Sequence, residues 1–156
     1  MKIVITVIFI LAILFFQIGI SSHLSILGIY PNLILLTILS ISILKGWKNS
    51  LIWIILGGLF IDFYSLHNYL GVSVIMILIV AYLAYFLSQN IFKKTTISSV
   101  FLVFLIAVFF SKLFLIIFYR IFDISSDFGF LEFIIEIFYN VMVGLPIFYL
   151  IKKYGR

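Results

Sequence analysis

Asp62 stands at the end of the apolar run LIWIILGGLFID, and an acid in that place needs a counterpart. Gly58, four residues earlier, shares a helix face with it, and Ser65 extends the face if the helix continues. Asp62 also sits where a helix dipole is negative, so its own helix disfavours it. Three environments answer that cost: a basic or amide partner on a neighbouring helix, the start of the following turn, or a shell of lipid headgroups. A second group of polar residues lies in the last third of the chain, where Glu132, Glu136, Asn140 and Gly144 step by four along one helix face opposite Lys112. Counted at 1.5 Å per residue, Lys112 lies about 10 Å inward from Tyr119 and Glu136 about 8 Å inward from Leu131. At one level, the two can pair. A lone charge in mid-span costs roughly 2.5–3.5 kcal/mol, and pairing lowers that cost. The alternatives are a Lys112 side chain that runs outward along its own stem, and a role in moving a proton or substrate.

Histidine, nucleophile and phosphate chemistry find less support. His23 and His67 could join Asp62 around a metal, but no spacing of the H-E-x-x-H kind is present, and both read as solvated loop residues. No nucleophile–base set or glycine-rich phosphate loop is visible, and there is no cysteine to act as nucleophile, thiolate ligand or disulfide. The expectation is therefore a protein with no metal and no cofactor.

The elements that must position these residues are helices in lipid. The chain is 66% hydrophobic and 10% charged, and its mean hydropathy of +1.41 over 156 residues exceeds what a soluble domain could bury. Runs of about 18 apolar residues span a bilayer core of roughly 30 Å. Each run must satisfy its own backbone in hydrocarbon, and the alternating pattern of a membrane barrel is absent. The expectation is one all-α membrane domain over residues 1–156, a compact bundle with six spans at about 3–20, 31–44, 50–66, 70–87, 97–119 and 131–151. The first run has a basic start and small residues after it, as a secretory signal does, but it is long and lacks an A-x-A site, so it reads as a retained span. Between the second and third spans, Lys45-Gly46-Trp47-Lys48-Asn49 reads as a basic loop. Pro146, inside the sixth, predicts a kink.

Charge sets the orientation. With the N-terminus in the cytoplasm, Lys2, Lys45, Lys48, Lys93, Lys94, Lys152, Lys153 and Arg156 fall inside, and Arg120 alone falls outside. A bias of 8 to 1 predicts cytoplasmic N- and C-termini. It also explains the net charge of +5 without nucleic acid as a partner.

Pro31-Asn32-Leu33, Gly46, Gly57-Gly58-Leu59, Asp62 and Leu70-Gly71 together resemble the pattern of the MreD family, bacterial rod shape-determining membrane proteins. The length, the number of spans and the short basic tail agree with it. The resemblance implies a non-enzymatic scaffold of the cell-elongation machinery for peptidoglycan synthesis in the inner membrane. It implies MreC as the partner, with indirect links to MreB and to RodA with its transpeptidase. Pro31, Asn32, Gly57, Gly58, Asp62 and Gly71 are then the candidates for holding the partner or the fold, while Lys112, Glu136 and Asn140 rest on spacing and depth alone. The rival reading is the substrate-binding component of an energy-coupling-factor transporter, also a small six-helix membrane protein. Such components resemble one another in Ala-x-x-x-Ala spacing on the first helix, and here that helix offers only Ala12 and Gly19. An intramembrane enzyme comes third.

Overall fold

A computed structural model describes residues 28–64, 69–92, 96–122 and 129–154, with residues 12, 15–17, 19 and 25 ahead of them. Most of the first predicted span lies outside the described residues, as do His23, Ser65 and His67. The described chain is helical: α1 (Leu33–Lys45), α2 (Trp47–Tyr64), α3 (Val72–Phe86, continued by a π turn, Leu87–Ile91), α4 (Ile97–Ile121) and α5 (Phe130–Tyr154). Three stretches, Val72–Ile91, Ile97–Ile121 and Phe130–Tyr154, are long and apolar enough to cross a membrane, and α1 is a shorter apolar helix.

α1 is the axis of the bundle. Every residue from Ile34 to Ile43 is buried, as expected of a helix apolar on all sides. It touches α2, α3 and α5, while α4 closes the far side against α3 and α5. Its two buried serines cost little there. Ser40 donates to its own helix at the Leu36 carbonyl, 2.8 Å away, and Ser42 donates across to the Ala81 carbonyl at 2.8 Å. The outer helices instead bury single stripes. On α2 the stripe is Ser50, Ile54, Gly57, Gly58 and Asp62, and on α3 it is Ser73, Met76, Ile77, Val80, Ala81 and Ala84. Their opposite faces, with Ile52, Ile55, Ile75, Ile79 and Phe86, are exposed apolar surface, the arrangement that suits contact with lipid tails.

The predicted loop 45–49 is shorter than the sequence suggested. Gly46 alone turns the chain, at φ +87°, and α2 begins at the next residue. That left-handed conformation is cheap only for glycine. Asn49 then donates its side-chain amide back to the Lys45 carbonyl at 2.5 Å, occupying one of the acceptors left at the end of α1. Pro146 lies inside α5 with its ring on the exposed side.

Candidate functional site

Two polar junctions join the helices, and Asn32, Gly57, Gly58, Asp62, Gly71, Lys112, Glu136 and Asn140 lie in them. The first joins α1, α2 and α3. A Cβ on Gly58 would stand 2.7 Å from Val74 Cα and 2.8 Å from Val74 N, so α2 presses on the backbone of α3 itself. Only glycine permits that approach. Its neighbour Gly57 faces the other way, where a Cβ would meet Ile34 Cγ2 at 2.7 Å and Ile38 Cδ1 at 2.9 Å on α1. The pair therefore seats one helix on each side of α2.

One turn beyond, Asp62 reaches the start of α3. The Gly71 N–H donates to Oδ2 at 2.7 Å and the Ser73 N–H donates to Oδ1 at 2.9 Å. Gly71, at φ +97°, is the residue from which α3 departs. Of the three environments open to Asp62, the structure has the helix start. The carboxylate is 4% exposed, and it stands at the positive end of the α3 dipole, which offsets the unfavourable end of its own helix.

The second junction joins α1, α4 and α5. Lys112 Nζ lies 2.5 Å from Glu136 Oε1, and both side chains keep about a fifth of their surface exposed, 19% and 23%. One turn inward, Asn140 donates from Nδ2 to the Glu136 carbonyl at 2.9 Å, and its Oδ1 accepts from the Asn32 N–H at 2.8 Å. Asn32 in turn caps α1, its Oδ1 accepting from the Leu35 N–H at 3.0 Å. Gln17 completes the set: its Oε1 accepts from the Leu33 N–H at 2.8 Å and its Nε2 donates to the Pro31 carbonyl at 3.2 Å. Asn140 lies ten residues into α5, about 15 Å along it, so α1 begins deep in the bundle. A helix start at that depth has orphan N–H groups that water cannot reach readily. Here Pro31 lacks an N–H, and Asn32, Leu33 and Leu35 each have a side-chain acceptor.

Gln17 was not among the residues that spacing suggested. Its only signal is an amide in an otherwise apolar run, and its partners lie 14 and 16 positions further on. Glu132 is exposed in the first turn of α5, its carboxylate folded against Gly129 at the helix start, where an acid suits the dipole. Below the polar level, Gly144 lets Leu36 and Phe104 close in, with a Cβ there meeting them at 3.1 Å and 3.4 Å.

Every buried side-chain nitrogen and oxygen among the described residues has a hydrogen-bond partner. Among them no three of His, Cys, Asp and Glu come together as metal ligands would. The site is thus a pair of joints made of glycines, helix caps and one ion pair. No curated protein and no solved structure matches the chain. A family model described as rod shape-determining protein MreD, however, matches residues 1–154 of the 156, and the chain belongs to that family.

Proposed function

We propose that this protein is a non-catalytic platform of the cell-elongation machinery, set in the inner membrane with six spans and both termini in the cytoplasm. Membership of the family supports a role in rod shape determination. The observation that favours a platform over a catalyst is the use to which the intramembrane polar groups are put. Asp62, Asn32, Asn140 and the Lys112–Glu136 pair each hold one helix to another. Polar groups spent on helix joints give a rigid surface, and rigidity favours docking because little order remains to be imposed on binding.

The partner proposed for that surface is the single span of MreC, with MreB, RodA and its transpeptidase reached through it. Gly57, Gly58 and Asp62 are interior, so their part is to fix the pose of α2, whose outward stripe of Ile52, Ile55, Leu56 and Phe63 is exposed. Purification of the full chain from membranes of a rod-shaped host tests this. MreC should come with the wild-type protein, and Ile52→Ala with Leu56→Ala should reduce its recovery at unchanged protein level. Recovery of MreC undiminished by that pair, and by Gly58→Leu, would remove α2 from the interface.

A further inference from the structure

The two ends of the bundle differ in charge. α1 and α5 run parallel, since Asn32 meets Asn140 and Leu36 meets Gly144 four residues further on. α3 runs with them, since Ser42 meets Ala81 and Gly46 faces Tyr85 four residues on. The described acids, Asp62, Glu132 and Glu136, therefore all lie toward the end where α1, α3 and α5 begin. At the other end stand Lys45, Lys48, Lys152 and Lys153, with no carboxylate side chain among the described residues there. Lys45, Lys48 and Lys153 are exposed.

Local physics makes one of these lysines hard to explain by the helix alone. Lys45, Lys152 and Lys153 sit in the last turns of α1 and α5, where the dipole favours a cation. Lys48 sits in the first turn of α2, where the dipole repels one. It adds to the positive potential of that helix start and of Lys45 three residues before it. Aromatic rings flank the same level. Trp47 packs edge-on to Tyr82 at 5.6 Å, and Lys153 Nζ lies 5.1 Å from the Tyr154 ring. Amphipathic rings and lysines at the end of an apolar bundle place this rim at headgroup depth.

We propose that the rim carrying Lys45, Lys48 and Lys153 binds anionic phospholipid headgroups, their phosphates held by the ammonium groups. The assignment rests on the membrane topology proposed above, but it does not need the orientation. In nanodiscs both leaflets are offered, so a reporter result that inverted the topology would leave the lipid result standing.

The test uses the full chain in nanodiscs of phosphatidylcholine, with phosphatidylglycerol titrated in and retained lipids counted by native mass spectrometry. Retention should favour phosphatidylglycerol, and the double variant Lys45→Gln, Lys153→Gln should weaken it at least about tenfold, given about fivefold per lysine at a membrane surface. Each single variant, measured beside the double, should give a partial loss, so that a double variant that fails to fold does not end the test. Arg120→Gln, an exposed cation at the other end of α4, should change nothing. Equal retention of the two lipids, or a loss in Arg120→Gln as large as in the double variant, would overturn the proposal. So would matching of the effect by inorganic phosphate, which would mark a free-anion site, or displacement of the lipid by an equimolar acidic peptide, which would mark a protein partner.

Discussion

Asp62 shows how one carboxylate can be costly in its own helix and stabilising in the next. Its two acceptor contacts serve the N–H groups of Gly71 and Ser73 at the start of α3, the second of them buried. Losing a helix cap costs about 1 kcal/mol, and the one buried donor of the two, the Ser73 N–H, costs about 1–3 kcal/mol more when left unpaired. Asp62→Ala should therefore destabilise the purified protein by about 2–4 kcal/mol. Asp62→Asn keeps one good acceptor and should cost clearly less. Unfolding in detergent compares the two, and an alanine variant as stable as wild type would show that the cap carries no weight. The ion pair makes a different demand. Reversal of either Lys112 or Glu136 puts two like charges together in a span, a loss on the scale of the roughly 2.5–3.5 kcal/mol that one unpaired charge costs. The joint variant Lys112→Glu, Glu136→Lys restores attraction, and its level in membranes should recover toward wild type. A joint variant no better than the worse single one would count against the pair as a structural link.

At the scale of the element, the two adjacent glycines invite the same substitution with unequal results. At Gly57 a new methyl meets the ends of Ile34 and Ile38, which can turn aside. At Gly58 it meets the backbone of Val74, which cannot move without carrying α3 with it. Gly58→Ala should therefore destabilise by more than Gly57→Ala, and the gap should close in the background of Asp62→Ala, where α2 and α3 are already loosened. Thermal unfolding of the four proteins decides it, and equal losses at the two glycines would contradict the close approach. The same elements show what local pattern can and cannot disclose. α3, α4 and α5 are legible because long apolar runs have few other uses, and Lys112 and Glu136 could be set at one level because helical rise is constant. The turn at Gly46 looks five residues long in the sequence because Trp47, Lys48 and Asn49 are polar or interfacial, whereas a single positive-φ residue suffices. Gln17 and Asn140 meet the start of α1 from positions distant in sequence, and no period along the chain records such a meeting.

The molecule as a whole has a short central helix and longer ones beside it, and that difference in length bears on how it can sit in a membrane. α1 has 13 residues, about 20 Å, against about 37 Å for the 25 of α5. Because α1 and α5 end at the same level and α1 starts level with Asn140, all of the shortfall lies at the end that carries the acids. A start buried at that depth is tolerable only with its N–H groups occupied, which makes Gln17 and Asn140 jointly necessary for the insertion of α1. Asn140→Leu should expose the Asn32 N–H and Gln17→Leu the Leu33 N–H, each at about 1–3 kcal/mol. Both together should leave the second predicted span poorly inserted. Reporter fusions read this directly. A cytoplasmic reporter placed after Lys48 should be active in the wild-type chain under the topology proposed here, as should one after Arg156. In the double variant the signal after Lys48 should fall while the signal after Arg156 holds, because α1 and α2 should be lost together as a pair, leaving α3 with its π turn, α4 and α5, each apolar and long enough to cross without them. If the two signals fell together, α1 alone would have left the membrane and the helices after it would have reversed, and the central helix would set their orientation as well as their packing.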